Sequence, residues 1–228
     1  MTTQFHPIMF TAESIRSILA GQKTMTRRVV NPQPNDMKPL GPYGRMIPYR
    51  FGKEVPDIPG VRVQEPIKCP YGKPGDILWV KESLYFSVEN NNLYYSADDK
   101  GVGDDIFRKF YRRGSIRPRV GALLMPRWAS RINLEILRLD VARVQDISEA
   151  DAKAEGADPH FDPAGFSEWP DAPGFIKHDL GGVEVMRVAI ARRFGFQQQW
   201  DAINAKRGFA WDTNPYVWII EFRIVDHA

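Results

Sequence analysis

The apolar positions of this chain switch between a helical and a strand-like period, and the switches mark its elements. Residues 7–10 are a short apolar segment, after which Thr11 is placed to cap a helix. Ile15, Ile18 and Leu19 fall at i, i+3 and i+4, forming one apolar stripe, and Gly21 is placed to end that helix in a left-handed conformation. Residues 23–30, with Thr24, Thr26, Val29 and Val30, read as a strand. Residues 31–74 are dense in proline and are expected to form a long, irregular surface excursion. Lys73-Pro74-Gly75-Asp76 then makes a turn into an apolar strand over 77–82, and Leu93-Tyr94-Tyr95 reads as a further short strand.

The strongest β pattern covers residues 131–144. Ile132, Leu134 and Ile136 alternate, then Leu137, Leu139 and Val141 alternate in the opposite phase, a one-residue shift that a β-bulge produces. Ser148 is placed to cap a short helix, with Asp151 three residues on and Gly156 at its end. Residues 157–182, rich in Pro, Gly and Asp, read as an insertion. Residues 183–194 are helical by pattern and 196–203 continue the helix past Gly195, while 216–225 form a candidate central strand. Strands separated by short helices, without a repeating βαβ unit, predict one α+β domain around a small β-barrel, with insertions at about 31–69 and 157–182. Trp79 and Trp218 lie inside apolar strands and are assigned to its core. Trp128, between Arg127 and Arg131, is the aromatic best placed to wall a pocket.

Composition narrows the function. In 228 residues, 43% hydrophobic and 12% aromatic content suffices for a packed core and argues against disorder. The net charge of +3 is mild, so any nucleic-acid signal must come from local clustering. A lone Cys69 excludes an internal disulfide, and His6, His160, His178 and His227 lack metal-ligand spacing. No signal peptide and no apolar run near the ~20 residues of a membrane span are recognisable. The chain is expected to be cytoplasmic, to need no metal or cofactor and to touch no membrane.

Two clusters carry candidate chemistry. Gly21-Gln22-Lys23-Thr24-Met25-Thr26-Arg27-Arg28 puts an amine, two hydroxyls and two guanidiniums together. A lysine kept neutral can activate a threonine hydroxyl, and arginines can bind an anion. The same segment also reads as a helix end followed by a solvated strand, with Lys23 a surface residue favoured by the helix C-terminus. Lys23 and Thr26 have opposite strand parity, so they can cooperate only if Lys23 lies in the turn after Gly21. The second cluster runs from Arg108 to Arg119, with six basic residues, no acids and the adjacent Phe110 and Tyr111. It is either a solvated loop or a surface for phosphates and bases, with Arg112, Arg113 and Arg117 as contacts and Arg127 and Arg131 as an extension.

The helix followed by Gly-x-Lys-Thr-x-Thr-x-Arg, the Pro74-Gly75-Asp76 turn before an apolar strand, the short helix with Ile147-Ser148 and Glu155-Gly156, and the Val217-Trp218-Ile219-Ile220-Glu221-Phe222 strand occur in an order that resembles the ASCH domain of the PUA-like superfamily. Lys73–Asp76, Leu78–Glu82 and Met125–Ile132 resemble more narrowly the longer ASCH proteins of bacteriophages and prophages, which implies a phage- or prophage-encoded protein in a bacterial cell. The resemblance leaves 31–69 and 157–182 outside it. One branch, the bacterial N4-acetylcytidine amidohydrolases, uses a lysine, a threonine and a glutamate, which implies Lys23, Thr26 and Glu155 as catalytic residues and Arg28 as a ligand-binding residue. Thr24 and Arg27 join Arg28 as candidate substrate or phosphate contacts. The implied function is hydrolysis of an acylated nucleobase or nucleoside, with a modified nucleoside or nucleic acid as partner. The alternatives are a non-catalytic module that binds RNA, DNA or a modified base, and a ribonuclease.

Overall fold

A computed structural model describes residues 2–40, 45–54, 62–114, 117–157 and 183–226. The elements in chain order are β1 (Phe5–Met9), α1 (Ala12–Leu19), β2 (Met25–Val29), β3 (Asp36–Leu40), β4 (Arg45–Glu54), β5 (Arg62–Pro66), β6 (Ile77–Lys81), β7 (Leu84–Ser87), β8 (Asn92–Tyr95), α2 (Asp104–Arg112), β9 (Arg119–Val120), β10 (Asn133–Arg143), α3 (Glu149–Ala154), α4 (Val183–Asn204) and β11 (Tyr216–Val225). The α+β class is as expected. The strands form a five-stranded sheet in the order β1-β6-β10-β11-β2 and two three-stranded sheets, β3-β4-β5 and β8-β7-β9.

Two compact units are built from interleaved segments. The first takes Met1–Thr24, Cys69–Leu139 and Glu221–Ala228, and the second takes Met25–Lys68 and Asp140–Ile220. In the first unit β1 runs parallel to β6, with Ile8 opposite Val80, and β10 runs antiparallel to β6, with Leu134 opposite Leu78. Leu78, Val80, Leu134 and Ile136 are buried, as the period-2 pattern requires. A second cluster in this unit packs Phe110 of α2 with Leu84, Leu93, Tyr95, Val120, Met125 and Ala129 under the β8-β7-β9 sheet. The second unit closes over Val144, Ile147, Ala152, Phe196, Trp200, Trp211 and Val217.

Several expectations hold in detail. Thr11 caps α1, accepting from the Ser14 amide at 3.2 Å, and Gly21 has φ of 70°. Ser148 caps α3, accepting from the Asp151 amide at 3.1 Å, and Gly156 has φ of 75°. Gly195 does not interrupt α4. In β10 the buried positions change from even (Leu134, Ile136) to odd (Leu139), although Leu137 is exposed.

Three expectations are corrected. The proline-rich stretch is not irregular throughout, because β3, β4 and β5 form an antiparallel sheet within it. Its prolines suit that sheet. Pro39 and Pro66 lie on the edge strands, where a missing amide costs no ladder bond, and Pro48 still accepts from the Ile67 amide at 2.7 Å. Trp79 is not a core residue: Leu78 and Val80 take the buried side of β6, and Trp79 is half-buried with the Lys81 ammonium 5.4 Å from its ring centroid. The basic run is not a loop over its first half, because residues 108–112 belong to α2. The insertion expected at 157–182 lies, from 158 on, outside the described residues.

The turn into β6 is held by a buried carboxylate. Asp76, 2% exposed, accepts from the Gln4 amide and from the Lys73 amide, each at 3.0 Å. Burial pushes its pKa up, but those backbone bonds outweigh burial and leave it below the ordinary carboxylate value. Gly72 faces this group with φ of 98°, and a Cβ there would sit 2.7 Å from Asp76 Oδ2 and 2.8 Å from the His6 ring. Gly72→Ala is therefore expected to cost about 2–3 kcal/mol in urea denaturation. A variant as stable as the parent would show that the turn tolerates rearrangement.

Candidate active site

α1 ends in a tight turn that sets the position of Lys23. The Gln22 and Lys23 amides both donate to the Ser17 carbonyl, at 2.9 and 3.1 Å, and β2 begins two residues later at Met25. Lys23 thus lies in the turn, and strand parity does not apply to it. It is 6% exposed, and Thr26, one residue into β2, is 4% exposed. Thr24 between them is exposed, and Arg28 is half-buried.

β2 is buried at three successive positions, Met25, Thr26 and Arg27. Burying a guanidinium costs several kcal/mol unless it is paired. Arg27 meets that requirement within the second unit: its Nη2 lies 2.7 Å from Asp151 Oδ2 and its Nη1 3.3 Å from Glu155 Oε1. Nη1 also lies 3.5 Å from Met25 Sδ, and the guanidinium carbon lies 5.9 Å from the Phe196 ring centroid. The two acids come from α3 and its C-cap, at i and i+4, so they share one side of the helix. Asp151 is partly open to solvent and Glu155 is buried.

The fold therefore brings together two residues 128 positions apart that the sequence singled out separately, Arg27 and Glu155. Arg27's guanidinium is committed to these carboxylates, which suits it to hold Glu155 in place. Sequence reasoning missed Asp151 as a partner. The signal was present in the i, i+4 spacing of Asp151 and Glu155, but spacing alone does not name the guanidinium that the two acids meet. In the same unit a cleft of about 540 Å³ is lined by Ile147, Phe194, Trp211, Arg193, Gln197 and Glu149. Lys23 belongs to the first unit, and Thr26, Arg27 and Glu155 to the second.

The remaining candidates lie in the first unit. Arg112, Arg113 and Arg117 are exposed. Trp128 packs 4.8 Å from Phe110, ring centroid to centroid, with the Lys109 and Arg113 cations 5.7 and 5.5 Å from its ring. Arg127 stacks over Phe5 with its guanidinium carbon 3.4 Å from the ring centroid. Arg131 does not extend the basic surface. It forms a forked pair with Glu82 (Nε–Oε1 and Nη2–Oε2, both 2.9 Å) and contacts both oxygens of Asp98 at 3.0 and 2.8 Å. Its guanidinium carbon sits 4.0 Å from the Tyr95 ring centroid. Among the described residues, no group of His, Cys, Asp and Glu is arranged to hold a metal ion, and no helix is long and apolar enough to cross a membrane.

No family model matches the chain, and no curated protein matches it. Among solved structures it is similar to the ASCH domain from Lactobacillus crispatus JV V101, with 11% identity, 98% of this chain and 81% of that chain covered, and a TM-score of 0.35.

The Arg131 cluster has a spectroscopic consequence. Burial, and then the Glu82 carboxylate, push the Tyr95 hydroxyl up to about 12, and its proton is held toward the Ala129 carbonyl at 3.1 Å. The raised value means that the folded state keeps a proton the unfolded chain releases, so this contribution to stability is complete below pH ~10 and is lost as pH rises toward 12. Absorbance titration at alkaline pH is expected to show a tyrosine ionising near 12 that is missing in Tyr95→Phe. Loss of a tyrosine titrating at ~10 instead would mean that the ring is solvated.

Proposed function

We propose that this chain is an ASCH-type, PUA-like protein that hydrolyses the acyl amide of a modified nucleobase or nucleoside, in the manner of an N4-acetylcytidine amidohydrolase. The observation that supports it most is the buried Arg27–Glu155 pair, which ties the glutamate of the resemblance to the strand that carries its threonine. Burial of Lys23 and Thr26 is the second support, since a solvated lysine and threonine would be ordinary surface residues.

In this reading the Thr26 hydroxyl attacks the acyl carbon while the Lys23 amine takes its proton. The C–N bond breaks, the leaving N4 amine takes up a proton, and an acyl-threonine ester remains. Water, oriented by Glu155, hydrolyses the ester to carboxylate and free threonine. The sum is acylated cytidine plus water giving cytidine plus acetate. Arg27 and Asp151 act on Glu155 alone: they keep its carboxylate aimed and are not phosphate ligands.

Acetate release from N4-acetylcytidine tests the reading. Lys23→Arg keeps the charge but removes a base that can deprotonate, and is expected to lower turnover about a hundredfold or more while leaving nucleoside affinity within a few-fold. Normal turnover by Lys23→Arg would remove lysine as the base. A parent protein that binds the nucleoside but releases no acetate would leave a binding module in place of an enzyme.

A further inference from the structure

The exposed side of α2 is not used by the chemistry above. Ile106, Phe107 and Phe110 turn toward the cluster under the β8-β7-β9 sheet. This leaves Arg108 and Arg112, one turn apart, on the opposite side of the helix. Tyr111 is 71% exposed and stacks with Phe107 along one flank, centroids 6.4 Å apart at 29°. Along the other flank Lys109 and Arg113, also one turn apart, bracket the half-buried Trp128. Arg117 and Arg119 continue the exposed cations beyond the helix. Among the described residues, no ion pair with an acid neutralises Arg108, Arg112, Arg117 or Arg119, whereas the buried Arg27 and the half-buried Arg131 each pair with two carboxylates.

We infer that this side of α2 is a docking surface for single-stranded nucleic acid, with Arg108 and Arg112 on successive phosphates and Tyr111 stacked on a base. Charge complementarity sets the partner as a polyanion, and five of the six cations between 108 and 119 are arginines, the side chain suited to forked phosphate contacts. The fixed, exposed tyrosine beside them selects a partner with aromatic faces to offer. A duplex hides those faces, so a single strand is favoured. A membrane is disfavoured, because the apolar side of α2 that would have to insert is already packed in the core. The inference is independent of the hydrolase reading, since α2 lies in the first unit and binding is read without turnover.

The test uses the full chain and fluorescence anisotropy with a labelled single strand of about 12 nucleotides across a salt titration. Arg108→Gln with Arg112→Gln is expected to reduce the slope of log affinity against log salt by about 1.4, or roughly 0.7 for each phosphate lost. Arg108→Lys with Arg112→Lys is expected to keep the slope. Tyr111→Ala is expected to weaken binding about tenfold at an unchanged slope. All are surface substitutions, and an unchanged melting temperature confirms that each variant is folded. An unaltered slope in the glutamine variant, tighter binding of the matching duplex, or binding of anionic phospholipid vesicles without binding of the strand would each overturn the inference.

Discussion

A guanidinium buried between two carboxylates organises the second unit. Arg27 is nearly sealed from water, and its charge is tolerable there because Asp151 and Glu155 answer it. The requirement runs both ways: Glu155 is also buried and needs a cation. Meeting both fixes the turn-by-turn placement of α3 against β2, since acids at i and i+4 must reach one side chain on the strand. The apolar residues then close around that constraint, with Phe196 beneath the guanidinium and Ala152, between the two acids, inside the cluster.

The first unit solves the same problem twice in other ways. Arg131 spans Glu82 and Asp98 beside the Tyr95 ring, and its hydrogen bonds draw Asp98 below the ordinary carboxylate value. Asp76 has backbone amides as its donors and needs a glycine opposite because nothing larger fits. In each case a polar group is buried where chain segments distant in sequence meet. Their geometry is more demanding than apolar packing, because a hydrogen bond is lost over a fraction of an ångström that dispersion contacts absorb.

The sequence carried the local part of this clearly. The caps at Thr11 and Ser148, the left-handed Gly21 and Gly156 and the phase change in β10 follow from period and turn chemistry, and the structure has them. Pairing between distant segments was not legible. The prolines at 39 and 66 suggested an irregular stretch because edge positions exist only once a sheet is assembled. For Lys109 and Arg113 the sequence left a solvated loop and a phosphate-binding surface both open, and only α2 places them around Trp128. For the candidate site, Lys23, Thr26 and Glu155 came from a resemblance in motif order, and burial is what distinguishes them from surface residues. Asp151 carried only its i, i+4 spacing to Glu155, because the guanidinium it meets lies 124 positions away.

A double-mutant cycle between Arg27 and Glu155, followed by urea denaturation, measures the organising pair directly. Arg27→Met alone is expected to cost about 3–5 kcal/mol, because it strands a buried carboxylate. Adding Glu155→Leu is expected to recover part of that loss, with a coupling energy of about 1–3 kcal/mol. Losses that simply add would mean that the two side chains do not share a buried contact, and would remove the physical basis for placing Glu155 beside the threonine strand.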